Sequence, residues 1–191
     1  GAAFAGATYK PIAITNAPYA LRDFDHFMAY RDSDLLRDMM AGYTRQSGQQ
    51  ALALTYYGER HVTANRSIMK PEDMRGMKLR VPQAPLFLMF TRSVGANATP
   101  IAFAEVYLAL QQGTVDGQEN PLPTIQAKKF YEVQSHISLT GHITESLVTI
   151  VSGNTWRRLN DADKGVFQAV LKEASDRATN EIRQAELALP P

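Results

Sequence analysis

Along this chain, short apolar runs of strand length alternate with stretches whose apolar residues recur every three to four positions, and glycine or proline stands at nearly every junction. Strand and helix patterns that alternate in this way can bury their apolar faces together only as helices packed on a sheet, so the fold class is α/β. Extended segments are expected over residues 50–57, where Gly58 breaks the run, and over 61–68, 77–81, 99–102, 114–116, 136–140 and 146–152. Helices are expected over 34–46, ended by Gly48 with Leu35, Leu36, Met39, Met40 and Tyr43 on one face, and over 85–94, ended by Gly95. Further helices are expected over 103–112, with Val106, Leu108, Ala109 and Leu110 inward, and over 123–133. Lys70-Pro71-Glu72-Asp73 opens a helical turn, because proline suits a first helical position. Asn160 is placed to cap a long final helix over 162–188, with Asp163 as the reciprocal acid.

Several function classes are excluded before any site is sought. Twenty basic residues against 19 acidic ones leave a net charge of +1, without the basic face that nucleic acid or an anionic membrane requires. The chain has no cysteine, which removes disulfides, thiolate metal sites and a thiol nucleophile. No apolar run approaches the ~18 residues that span a bilayer. Phosphate loops, dinucleotide fingerprints and the serine elbow are absent. His26, His61, His136 and His142 lack metal-ligand spacing, so neither a metal nor a cofactor is expected, and they read as surface or structural histidines. The small apolar residues at the start and the abrupt Ala188-Leu189-Pro190-Pro191 end read as those of a fragment.

Polar residues that directly follow apolar strands remain. Arg60 follows Leu54-Thr55-Tyr56-Tyr57-Gly58-Glu59, Arg80 lies in Met77-Lys78-Leu79-Arg80-Val81-Pro82, and Gln118, Glu119 and Asn120 follow Thr114-Val115-Asp116-Gly117. In open α/β sheets, ligands bind beyond the carboxyl ends of the strands. An arginine there offers a planar fork matched to a carboxylate. On residue type alone, an arginine paired to a surface acid is the more usual reading for either position.

Order and spacing add a family resemblance. Met77-Lys78-Leu79-Arg80-Val81-Pro82 is followed by Gly95-Ala96-Asn97-Ala98-Thr99-Pro100, by Phe103 through Gly113, by Val115-Asp116-Gly117-Gln118-Glu119-Asn120-Pro121 and by Lys129-Phe130-Tyr131-Glu132-Val133. Together these resemble the DctP family of solute-binding proteins of TRAP transporters, from about Ala17-Pro18-Tyr19 to the last helix. The resemblance implies two α/β lobes joined by a hinge with a long helix, incomplete at both ends here. Residues 1–57 would form part of lobe I, 58–145 part of lobe II, 146–185 the return to lobe I, and 186–191 the start of a further segment. It implies a periplasmic, monomeric, non-catalytic protein that captures a small organic acid and delivers it to membrane permease subunits. Carried over, Arg80 grips the carboxylate, Asn120 shares it, Arg60 is a second basic contact, Phe103 is an aromatic wall and Gln83 a variable polar position. Tyr57, Glu145 and Ser146 are further pocket candidates, whereas Glu119 reads as a backbone anchor and Arg66 as a brace. An α/β enzyme acting on an organic acid, with Glu119 or Glu145 as base, and a sensor domain are the competing readings.

Overall fold

The computed structural model describes residues 1–189. Eight helices and five strands occur among them: α1 Ala2–Ala5, α2 Phe24–Arg31, α3 Asp34–Ser47, β1 Gln50–Ala64, β2 Lys78–Val81, α4 Pro85–Ser93, β3 Asn97–Pro100, α5 Val106–Gln111, β4 Gly117–Pro121, α6 Leu122–Ala127, β5 His136–Val151, α7 Gly153–Arg158 and α8 Asp161–Ala188. The strands form one sheet in the order β3-β2-β4-β1-β5. β2 runs parallel to β3 and β4, and β1 runs antiparallel to β4 and β5. This is the α/β class expected.

Apolar residues of β1, β2, α4 and β5 make one core, with Val62, Leu79, Val81, Phe87, Phe90 and Ile143 buried together. A second cluster joins Val106 and Leu110 of α5 to Ile125 and Phe130. Phe27 of α2, Leu36 of α3, and Leu54 and Tyr56 of β1 form a third, near the opposite end of β1.

Two strands are longer than their sequence patterns indicate. Residues 50–57 and 61–64 belong to one strand, and Gly58 bends it instead of ending it. Its φ of +116° is open to glycine and costly for a side chain, and the register shifts there, with Tyr56 opposite Ser146 and Gly58 opposite Glu145. Residues 136–140 and 146–152 likewise merge into β5, with Gly141 at φ +51° between them. The strand expected at 114–116 lies instead at Gly117–Pro121, every residue of it buried. Its polar side chains hid it, because they are satisfied by one another and by neighbouring strands instead of by water.

Helix boundaries fell close to expectation, with exceptions. Gly48 caps α3 in the left-handed conformation, but Leu35 points outward, 55% exposed. Residues 103–105 form a 3-10 turn before α5, and Leu108 is exposed. Lys129, at φ +55°, divides the expected 123–133 helix into α6 and a 3-10 turn at Phe130–Glu132. The Asn160 side chain accepts from the Asp163 N–H at 2.8 Å and caps α8.

α8 does for part of β1 what a neighbouring strand would do. Ser175 donates to the Leu54 carbonyl, and Thr179 accepts the Tyr56 N–H at 3.1 Å. Glu186 then receives the Tyr56 hydroxyl at 2.6 Å and the Glu59 N–H at 2.5 Å. Backbone groups that would be stranded at a buried sheet edge are thereby satisfied by helix side chains. Residues 190 and 191 of the expected 186–191 segment lie outside the described residues.

Candidate functional site

A cleft of about 490 Å³ opens where β1, β2, β4 and β5 meet, bordered by Tyr57, Arg60, Arg80, Gln83, Phe103, Asn120 and Glu145, with Phe4, Pro82, Phe87, Pro100, Ile101 and Leu147 supplying apolar wall. Seven of the eight candidates thus face one cavity. Ser146 does not: it is fully buried, and its hydroxyl accepts from the Asn16 amide at 3.2 Å. As the neighbour of Glu145 on one strand it points to the opposite face, a distinction that needs the strand's register.

Arg80 and Arg60 are equally buried, 3% exposed each, but their surroundings differ in kind. The Arg80 Nε and Nη2 both donate to the Ile101 carbonyl, at 3.0 and 2.8 Å. Among the described residues no carboxylate lies within ion-pair distance of it, and no hydrogen bond is formed by its Nη1. The Phe103 ring lies 5.8 Å from its guanidinium carbon. Burial pushes its pKa down to about 10, with Glu119 pulling up and Arg60 pulling down, so it is cationic at neutral pH.

Arg60 is engaged by protein. Its Nε bonds a Glu119 carboxylate oxygen, its Nη2 donates to the other oxygen and to the Glu119 carbonyl at 2.7 Å each, and its Nη1 donates to Glu145 at 3.0 Å. Burial disfavours the Arg60 charge, but Glu119 and Glu145 hold its pKa above the ordinary value. The Phe87 ring lies beneath it at 4.9 Å. Glu119 is therefore the counter-ion of Arg60, not the backbone anchor expected. Burial works against the Glu119 carboxylate as well, yet Arg60 and His142 outweigh it and hold the group below the ordinary value. Glu145, with one engaged oxygen, is shifted upward by burial despite Arg60.

His142 closes the network. Its Nε2 meets Glu119 at 3.1 Å, its Nδ1 meets the Thr140 hydroxyl at 2.8 Å, and its ring stacks on Phe90 at 3.8 Å. The sequence marked it only as a structural histidine; its partner lies 23 positions away, beyond any local pattern. The Asn120 amide donates to Gln118 at 2.6 Å, which leaves its second amide hydrogen and its carbonyl for the cleft. Tyr57 accepts from the Thr124 hydroxyl at 3.0 Å, and Gln83 is exposed at the rim. Phe103, 39% exposed, is wall and not core. Arg66 donates to the Asp73 carbonyl, the loop brace expected. No group of three or more potential metal ligands occurs among the described residues, and no helix among them is long and apolar enough to cross a membrane.

Known proteins carry the same arrangement of elements. The chain is 41% identical over 172 residues to the sialic acid-binding periplasmic protein SiaP of Vibrio cholerae, covering 90% of this chain and 54% of that protein. It is 32% identical to the 2,3-diketo-L-gulonate-binding periplasmic protein YiaO of Escherichia coli, covering 87% of this chain and half of that one. The chain therefore spans about half the length of the curated relatives it matches. Among solved structures, a TRAP periplasmic solute-binding protein of Bordetella bronchispeptica, with density interpreted as pantoate, superposes with a TM-score of 0.91 at 35% identity, covering 97% of this chain and 62% of that one. One from Polaromonas sp. JS666, bound to D-erythronate, gives 0.85 at 37%, covering 94% and 58%. The model of the bacterial extracellular solute-binding proteins of family 7, DctP, matches residues 1–189, and the chain belongs to that family.

Proposed function

We propose that this chain is the ligand-holding part of an extracytoplasmic TRAP solute-binding protein, which captures a small organic acid without transforming it and passes it to membrane permease subunits. The observation that carries this reading is Arg80: a buried guanidinium at a cleft, fixed on one side by the Ile101 carbonyl, with no carboxylate among the described residues within ion-pair distance. A buried cation is costly unless paired, and a bound anionic ligand would supply the partner. Arg80 would take that carboxylate through Nη1, while the free Asn120 amide hydrogen reaches it from β4. Arg60 would support the site as a neutralised cation, with Phe103 against the ligand body and Gln83 and Tyr57 at its polar atoms. No cofactor or metal is required for this, and a single copy of the protein suffices.

If lobes I and II meet at 57/58 and 145/146, as the resemblance implies, the two crossings lie opposite one another across β1 and β5, where Tyr56 pairs with Ser146 and Gly58 with Glu145. Bending at this paired crossing would bring residues 58–145 toward the rest of the chain and close the cleft over its ligand. A ligand shifts that equilibrium only through its preference for the closed state. The relatives named above bind sialic acid, 2,3-diketo-L-gulonate or D-erythronate. Others hold L-galactonate or succinate. Acids are common to all of these, which supports the carboxylate and leaves the body of the ligand open.

The catalytic reading needs an unengaged base beside Arg80. Glu119 is committed to Arg60 and His142, and Glu145 to Arg60. Titration calorimetry with a panel of organic acids is expected to give saturable binding that falls about ten- to hundredfold in Arg80→Ala, the magnitude of a lost charge-assisted hydrogen bond. The bound acid should be recovered unchanged. Wild-type affinity in Arg80→Ala, or turnover of the acid, would overturn the reading.

A further inference from the structure

We propose that Thr63, Gln118 and Gln134 are positioning residues of the cleft: they form a one-way relay of hydrogen bonds that starts at a backbone carbonyl and fixes which way round the Asn120 amide meets the ligand. This rests on the organic-acid reading above and extends it to three residues that do not border the cavity.

The sheet brings these side chains into line. Thr63 of β1 stands directly opposite Gln118 of β4. Gln118 and Asn120, two positions apart on one strand, share a face. Gln134 reaches Thr63 from the segment just before β5. All four side chains are buried, where a polar atom has to find its partner within the protein. The Gln134 amide donates to the Val133 carbonyl at 3.1 Å, and the Thr63 hydroxyl donates to Gln134 Oε1 at 3.0 Å. The Gln118 amide donates to the Thr63 hydroxyl at 3.0 Å, and the Asn120 amide to Gln118 Oε1 at 2.6 Å.

The direction of the relay follows from its first member. A backbone carbonyl can only accept, so Gln134 turns its NH2 toward Val133 and its oxygen toward Thr63. A hydroxyl carries a single hydrogen; Thr63 gives it to that oxygen and can only accept from Gln118. Gln118 therefore turns its NH2 toward Thr63 and its oxygen toward Asn120, which must meet that oxygen with its own NH2. Reversing any one of the three amides sets oxygen against oxygen or strands a buried group, which costs more than a hydrogen bond contributes. Asn120 borders the cleft with its nitrogen on the Gln118 side, one N–H still free for a carboxylate, and its carbonyl oxygen on the other side. The reversed amide would exchange donor and acceptor at both places, so a ligand matched to one arrangement is mismatched to the other. None of the four side chains titrates, so the order holds at every pH at which the fold persists, unlike that of the Arg60, Glu119 and His142 network.

The direction is tested without any ligand, by NMR of the isotope-labelled protein. The Gln118 side-chain amide protons are expected to show nuclear Overhauser contacts with the Thr63 methyl group and slow exchange with water. Contacts with the Asn120 side chain in place of Thr63 would mean that the amides run the other way and would overturn the inference. The positioning role is tested by calorimetry with succinate, lactate, D-gluconate and phenylacetate as probes, in a double-mutant cycle. Thr63→Val keeps the shape and removes the hydroxyl. It is expected to weaken whichever of these acids binds by about three- to tenfold, and Thr63→Ser to restore the affinity. In an Asn120→Ala background the same Thr63→Val change should have no further effect. An equal loss in both backgrounds would show that Thr63 supports the fold and not the amide, and the positioning role would fall. Binding that still disappears in Arg80→Ala would then uphold the organic-acid reading alone. If no organic acid binds the unaltered protein, that reading and the positioning role fall together.

Discussion

At the scale of single residues, two arginines with the same burial differ in what a substitution should do. Arg80 has a carbonyl partner and an open edge, so its loss should be felt in binding; Arg60 sits among carboxylates, so disturbing its surroundings should be felt in folding. Arg80→Lys is expected to weaken acid binding by about tenfold or more while moving the melting temperature little, because an ammonium cannot hold the Ile101 carbonyl and a carboxylate in one plane. Glu119→Gln is expected to cost about 3 kcal/mol in urea denaturation. It removes the main counter-charge of a buried cation, with Glu145 as the remaining partner. Equal loss of stability in both variants would show that the two arginines are not differentiated. Part of this was readable from sequence: Arg80 and Asn120 stand just beyond or within strands, where a ligand would be met. The Arg60 cluster was not, since it joins residues 59 and 85 positions apart, and no local pattern shows which acid a buried arginine faces.

At the scale of elements, the site depends on an irregular strand. Tyr57 and Arg60 are three positions apart, an odd spacing that places side chains on opposite faces of a regular strand. Both line the cleft because the bulge at Gly58 adds a residue and reverses the alternation. Glu186, from the last turn of α8, holds that bulge by taking the Glu59 N–H and the Tyr56 hydroxyl. A Cβ at Gly58 would come within 2.7 Å of the Pro121 side chain and 2.8 Å of the Glu186 carboxylate, at a φ unsuited to side chains. Gly58→Ala is therefore expected to destabilise by about 1–3 kcal/mol and to weaken acid binding as Tyr57 and Arg60 are displaced. Glu186→Ala should weaken binding from outside the cleft, and Glu186→Gln, which keeps an acceptor for the Glu59 N–H, should restore much of it. Melting curves and titrations of the three variants decide this; full affinity in Glu186→Ala would show that the bulge holds itself. The sequence showed the glycine but not its use, because an interruption in an apolar run looks the same whether a strand ends or bulges. β4 escaped detection for a related reason, as its Gln118-Glu119-Asn120 core is polar at every position that periodicity would inspect.

For the whole molecule, what was legible follows from the range over which each feature acts. The α/β class and the cap of α8 are set by neighbours a few residues apart and were readable, whereas the strand order and the burial of Glu119 are products of contacts closed by the completed fold. Such contacts also give the protein a pH dependence that composition does not show. The His61 Nδ1 accepts the Gly141 N–H at 3.0 Å, which requires the neutral ring, and burial together with His142 pushes its pKa down to about 4. His142 is shifted the same way, chiefly by burial. A histidine unfolded takes up its proton near pH 6.5, so between that value and about 4 the unfolded chain binds more protons than the folded one. The stabilisation is complete above pH 6.5 and is lost as pH falls. Glu119, held below its ordinary value, adds a loss of the same sign at still lower pH, while Glu145, shifted upward, opposes it in part. Stability from urea denaturation is accordingly expected to fall by about 1–3 kcal/mol between pH 7.5 and 5. His61→Gln, whose amide oxygen can accept the same Gly141 N–H, should flatten that slope while preserving stability at pH 7.5. An unchanged slope in the variant would mean that His61 is not the group whose protonation opposes the fold.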